Sequence, residues 1–367
     1  MSFSPDPLKI LVAPLDWGLG HTTRCIPLIR ALRKRGCDVI FAGEGEALDL
    51  ISREFPDLST VPLEGYRIHY QGSHLSWSMI FQIPGILRRI RAEHQWLETQ
   101  AESLGLRAVI SDNRWGLYHK TLHTVFITHQ LYVNSGLGKL VDRWVNSLQY
   151  RFISRFSACW VPDLSAPPGL AGILSHPPFI PHPFSHIGIL SRFGENRNEP
   201  IIYDWGVVIS GPEPQRTHLE NLILPQLLAS GKKAVLVSGR PGRSVDQRPG
   251  PGIRQVSHLP ARELERVLAG SRMIICRSGY SSVMDLVRLG KMAVLIPTPG
   301  QPEQEYLARH LMEEGWFFSM NQNGFNLEEM QKRVDRFKFR EIPAELRGET
   351  FGPVLDQFLE KLGMGKS

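Results

Sequence analysis

The stretch LKILVAPLDWGLGHTTRCIPLIRALRKRGCDVIFAG, residues 8–43, contains a complete strand–helix–strand unit. LKILVAPL (8–15) is a continuous apolar run of strand length, the pattern of a strand covered on both faces. In CIPLIRALRKRG the residues Ile26, Leu28, Ile29 and Leu32 share one helical face, Arg30, Arg33, Lys34 and Arg35 look away from it, and Gly36 supplies the stop. CDVIFAG (37–43) is then the next strand. Strands joined through a crossover helix are parallel, so the unit predicts an α/β chain with a doubly wound parallel sheet.

The same rhythm runs outward. In the first half the strand candidates are RAVISD (107–112), HTVFITH (123–129) and SACWVPD (157–163). A Pro- and His-rich stretch, 175–200, breaks the pattern near the midpoint. It restarts with WGVVISG (205–211), KAVLVSG (233–239), MIICRSG (273–279) and MAVLIPTP (292–299), interleaved with helical HLENLILPQLLASG, ELERVLAGS and SVMDLVRLG. For 367 residues this gives two Rossmann-like domains, 1–185 and 201–345, a hinge at 186–200, and a terminal segment 346–367 whose helix FGPVLDQFLEKLG is expected to pack back on the first domain.

Composition narrows the function classes. With 42% hydrophobic and 21% charged residues the chain is globular rather than disordered or fibrous. Its net charge of +6 is shared evenly between the halves, with no basic arm of the kind that binds nucleic acid. Cys25, Cys37, Cys159 and Cys276 are too sparse for a disulfide scaffold and form no Cys-x-x-Cys pair, which points to a reducing cytoplasm. No leader-like N-terminus and no long apolar run is present. Residues 75–97 place Trp77, Met79, Ile80 and Phe81 beside Arg88, Arg89 and Arg91, a pattern open to peripheral contact with the inner face of a membrane. The competing reading is favoured: Ile86, Ile90, Leu97, Ala101 and Leu104 form a stripe for a sheet to cover.

Ligands of parallel α/β sheets sit beyond the carboxyl ends of the strands, so the loops there carry the chemistry. After the first strand come Gly18, Leu19, Gly20 and His21. The glycines admit close backbone approach, and a histidine at a helix start is either a cap or a general base kept neutral by the dipole. A dinucleotide fingerprint fails because Thr23 stands where its third glycine belongs. Asp112 ends RAVISD and His129 ends HTVFITH. In the second half the turns Ser210-Gly211, Ser238-Gly239 and Arg277-Ser278-Gly279-Tyr280-Ser281-Ser282 suggest a diphosphate cradle. Asp285 follows one turn into the next helix, and Gln301 to Glu305 open another. No Asp-x-Asp pair occurs, and His176, His182 and His186 in the Pro-rich stretch make a poor ligand set, so no metal is expected.

ICRSGYSSVMDLVRLGKMAVLIPTPGQPEQEYLARHLMEEG (275–315) resembles the donor-binding half of the family 28 glycosyltransferases, and GLGHTTRCIPLIRAL (18–32) is similar to their acceptor-side glycine loop and first helix. The resemblance implies a GT-B fold, two Rossmann-like domains facing each other across a cleft, and metal-independent transfer of a sugar with inversion. It places the donor on Ser210, Gly211, His258, Leu259, Arg277, Ser278, Gly279, Tyr280, Ser281 and Ser282. Asp285 takes the ribose position, and Glu303, Gln304 and Glu305 lie against the sugar. Catalysis falls to His21, with Asp112 as orienter or alternative base, and the acceptor side to Gly18, Gly20 and His129. The expected co-substrate is a UDP-sugar such as UDP-N-acetylglucosamine, with no cofactor.

Two departures matter. Asp16 and Trp17 stand where the lipid-intermediate transferases of the family carry glycines, and Gln304-Glu305 replaces a Gln-Gln pair. The acceptor, lipid-linked or glycan, and the donor sugar therefore stay open. A nucleotide-sugar 2-epimerase on the same fold and a non-catalytic nucleotide-sugar-binding module are the alternatives.

Overall fold

The computed structural model describes residues 7–66, 75–179, 183–194, 199–240 and 245–364. His182 and the side chains of Trp77, Met79, Ile80 and Phe81 lie outside the described residues. The first half contains β1 (Lys9–Pro14), α1 (Leu19–Lys34), β2 (Asp38–Gly43), α2 (Glu46–Glu54), β3 (Ser59–Pro62), α3 (Leu75–Ser103), β4 (Ala108–Asp112), β5 (His123–Ile127), α4 (Lys139–Ile153), β6 (Ala158–Val161) and β7 (Ser185–His186). The second half contains β8 (Tyr203–Val208), α5 (Gln215–Ala229), β9 (Ala234–Val237), β10 (Asp246–Gly250), β11 (Ile253–Val256), α6 (Ala261–Ala269), β12 (Ser271–Cys276), α7 (Tyr280–Leu289), β13 (Ala293–Leu295), α8 (Pro302–Glu313), β14 (Phe318–Ser319), α9 (Leu327–Val334) and α10 (Gly352–Lys361).

The strands form two seven-stranded sheets, ordered β3-β2-β1-β4-β5-β6-β7 and β10-β11-β9-β8-β12-β13-β14. Every pairing is parallel except β10 with β11. Both sheets reverse their winding direction once, between β1 and β4 in the first and between β8 and β12 in the second. At such a switch point the helices leave in opposite directions and open a crevice at the strand ends. Four of the loops singled out in the sequence, those after β1, β4, β8 and β12, border these two crevices.

Burial follows the sequence pattern. Ile10, Leu11, Val12 and Ala13 of β1 are wholly buried, and Ile26, Leu28, Ile29 and Leu32 of α1 pack on the sheet. Helix α3 departs from a single-stripe reading. Leu97 and Ala101 do cover the first sheet, but Ile86 and Leu87, nearer its start, look into a cavity instead. Helix α10 crosses back to the first sheet: Phe358 meets Trp160 of β6 edge-on at 5.3 Å, and Asp356 accepts from Arg35 Nε at 2.6 Å. Among the described residues no helix is long and apolar enough to cross a membrane.

Candidate active site

The two crevices open into one cavity of about 1150 Å³. On the first-domain side Gly18 has a φ of +88°, a left-handed setting that glycine adopts without strain, and it starts α1 so that His21 lies in the first turn facing the cavity. On β4, Asp112 is fully buried behind it. Asn113 holds a positive φ of 56°, tolerated best by Asn among side-chain-bearing residues, and turns the chain sharply after the carboxylate.

His21 Nδ1 lies 2.9 Å from Asp112 Oδ1 and 2.9 Å from Arg24 Nη2. Arg24, one turn along α1 and 2% exposed, donates through Nε and Nη2 to both oxygens of Asp112. Burial pushes the Asp112 carboxyl up, but Arg24 and His21 outweigh it and hold the group at about 2. Burial and then Arg24 pull His21 below its ordinary value, further than Asp112 raises it. The site therefore presents a neutral imidazole braced by a permanent carboxylate.

On the opposite wall α7 points its N-terminus into the cavity. Gly279 is extended, and a Cβ there would meet nothing within 4 Å, so the space before the first turn is open. Tyr280, Ser281 and Ser282 line it with their first-turn backbone, a natural anion site. Ser210, Gly211, Gly239, His258 and Leu259 close the far side. Burial, Arg192 and Arg53 lower His258 to about 4, leaving it neutral. Ser281 Oγ donates to the Gly20 carbonyl at 2.8 Å, which sets the two glycine loops edge to edge.

The rest of the cavity is an apolar trough. Ile83, Ile86, Leu87 and Ile90 of α3 form one wall, and Val141, Val145, Leu148 and Phe152 of α4 face them. Trp17 and Trp115, with ring centroids 6.3 Å apart, also line the cavity and pack with Ile86, Ile90 and Phe152 of these walls.

Residues 251–343 match the model of the glycosyltransferase family 28 C-terminal domain. The matched segment runs from β11 to beyond α9 and takes in α6, β12, α7, β13 and α8. No curated protein matches the chain in sequence. The fold is GT-B, as in solved glycosyltransferases that share little sequence with it. SnogD from Streptomyces nogalater has a TM-score of 0.65 at 16% identity, covering 97% of this chain and 100% of that one. The spinosyn rhamnosyltransferase SpnG, complexed with thymidine diphosphate, has a TM-score of 0.59 at 14% identity, with 97% and 96% covered. MurG of Acinetobacter baumannii has 0.56 at 12%, with 97% and 100% covered.

Within this fold most residues singled out in the sequence reach the cavity wall: Gly18, Gly20, His21, His129, Ser210, Gly211, His258, Leu259, Gly279, Tyr280, Ser281, Ser282, Asp285, Glu303 and Gln304. Four do not. Asp112 stands behind His21, so it is placed to orient the imidazole and not to meet a substrate. Arg277 is fully buried and donates to the carbonyls of Gln215, Ile296 and Pro297, so its guanidinium braces the loop before α7 and is not free for an anion in the cavity. Ser278 spends its hydroxyl on the Gln304 carbonyl, and Glu305 accepts from the Gly300 N–H at the outside of its turn.

Two residues on the wall are committed elsewhere. Asp285 accepts from Ser191 Oγ and Arg192 Nε, and Gln304 Oε1 accepts from the Thr298 N–H while Nε2 donates to Gln301. Both hold loops in place with their side chains. Arg24 and the trough residues of α4 were missed in the sequence. Arg24 leaves a signal: it is a lone cation in register with Leu28 and Leu32 on the apolar face of α1.

Proposed function

We propose that the protein transfers a glycosyl group from a nucleoside-diphosphate sugar, a UDP-sugar in the first instance, to a hydroxyl on an acceptor with an apolar body, with inversion and without a metal ion. The observation that carries this reading is that a carboxylate-braced imidazole and the N-terminus of α7 face one cavity from opposite domains. Arg24 Nη2 spends its proton on Asp112 Oδ1, so His21 Nδ1, equally close to that oxygen, can carry the ring proton and donate it to Asp112, and Nε2 then offers its lone pair to the acceptor hydroxyl. The oxygen attacks the anomeric carbon, the bond to the diphosphate breaks, and the departing negative charge is met by the first-turn N–H groups of Tyr280 to Ser282. A single displacement inverts the anomeric centre. The trough between α3 and α4, whose lining among the described residues of those helices includes no charged side chain, suits the apolar part of an acceptor better than a glycan.

Calorimetric titration with UDP, GDP and dTDP, with and without magnesium, tests the donor half. The expected result is selective UDP binding that magnesium leaves unchanged, abolished in Gly279→Val. A Cβ at Gly279 meets nothing within 4 Å and the backbone there is extended, so the branched side chain should fill the space before α7 while the variant keeps the wild-type melting temperature. Binding of no nucleotide would overturn the donor site, and an affinity gain of about tenfold with magnesium, equal to about 1.4 kcal/mol, would overturn metal independence.

A further inference from the structure

His129 follows β5 and is 4% exposed. Its Nδ1 lies 3.2 Å from Arg24 Nη1. A guanidinium can only donate, so Nδ1 accepts and the ring must carry its proton on Nε2. That nitrogen lies 2.8 Å from Glu303 Oε1, in the first turn of α8 on the other domain. One face of the ring stacks on Tyr280, with centroids 4.2 Å apart and planes 6° off parallel, and the Tyr280 hydroxyl donates to the Pro162 carbonyl at 2.8 Å. The charged and titratable groups around it are thus Arg24 and His21 of α1 and Asp112 of β4 in the first domain, and Tyr280 of α7 and Glu303 of α8 in the second.

We infer that His129 is a positioning residue that carries the closed arrangement of the two domains to the base, and that it is neither an acceptor ligand nor a second base. Both of its nitrogens are used by the protein, so it has no lone pair or proton to spare for a substrate. It joins an unbroken line of contacts, Glu303–His129–Arg24–Asp112–His21, that crosses the cleft. When the domains part, Glu303 and Tyr280 leave with the second one, the ring is free to turn, and Arg24 Nη1 loses its acceptor. The base is then fully braced only when the donor domain is in place, which couples deprotonation of the acceptor to closure over the donor. The inference rests on the proposed transfer reaction.

Nitrogen-15 spectra of the full-length protein labelled at histidine test the line directly. Wild type is expected to show His129 as the neutral Nε2–H tautomer. Glu303→Ala should release it into a mixture of tautomers, whereas Glu303→Gln, whose amide oxygen still accepts, should keep it. In donor turnover His129→Phe, which preserves the stacked ring, should lower kcat about tenfold with nucleotide Kd within about twofold. Glu303→Ala should cost several-fold less in that background than in wild type, because contacts in one network are not additive. An Nδ1–H tautomer, a tautomer indifferent to Glu303→Ala, or multiplicative effects of the two substitutions would each overturn the inference. Failure of wild type to bind nucleotide would instead strike the proposed reaction, and the tautomer measurement would still decide whether the line across the cleft exists.

Discussion

At the scale of single residues the site depends on a buried charge pair, and its energetics have a definite sign. Asp112 has a folded value of about 2, below its unfolded value, so its contribution to stability is present above about pH 4 and is lost as pH falls toward 2. Asp112→Asn leaves Arg24 buried without its partner and is expected to cost roughly 3–5 kcal/mol at pH 7. Chemical denaturation at pH 7 and pH 3 checks this, and the gap from wild type should narrow at the lower pH. His21 is lowered instead, so the acid limb of the pH–rate profile should fall below 6.5, and relief of burial in a partly open variant should move it up. His21 and Asp112 could be picked out in the sequence because one opens the helix after a strand and the other ends a strand, at the carboxyl edge of the sheet where the topology gathers ligand-facing loops. Arg24 was not, since its role appears only when β4 brings Asp112 to it from 88 positions away.

At the scale of elements the strand-and-helix alternation was readable wherever a buried strand left a continuous apolar run, as in β1, β8 and β12. Helix α4 gave no such signal. Its apolar residues Val141, Val145, Leu148 and Phe152 recur at helical spacing, but they line a cavity rather than a core, and polar Asp142, Asn146 and Gln149 are buried beside them holding loop 130–135. That inversion of the usual pattern hides the helix and gives the cavity its apolar wall. The stripe of α3 is shared for the same reason, part of it covering the sheet and part the trough. Val145→Asp places a charge in the trough at a half-exposed position. It should raise the KM of an apolar acceptor about tenfold, the worth of one lost Val contact at about 1.5 kcal/mol. Nucleotide affinity should be unchanged, and steady-state kinetics beside calorimetry separates the two.

At the scale of the whole molecule the chain crosses the cleft more than once, and the last crossing sets how the domains can move. After the second sheet is complete, α10 returns to the first domain, where Leu355, Phe358 and Leu359 are buried and Asp356 pairs with Arg35. None of these residues lines the cavity, so the helix adds nothing to ligand contact and acts only on the hinge: it makes the second domain's C-terminal end a fixed part of the first. Opening must then bend both the connection before β8 and the one before α10, which favours a hinge over free separation. Phe358→Ala removes the ring set edge-on against Trp160 and should cost about 3–5 kcal/mol. Amide exchange at β6 should rise while exchange at β8 and β12 stays at the wild-type level and nucleotide Kd moves less than about twofold, a shift under 0.5 kcal/mol. If β8 and β12 lose protection instead, α10 stabilises the second domain and the two-strand hinge is wrong.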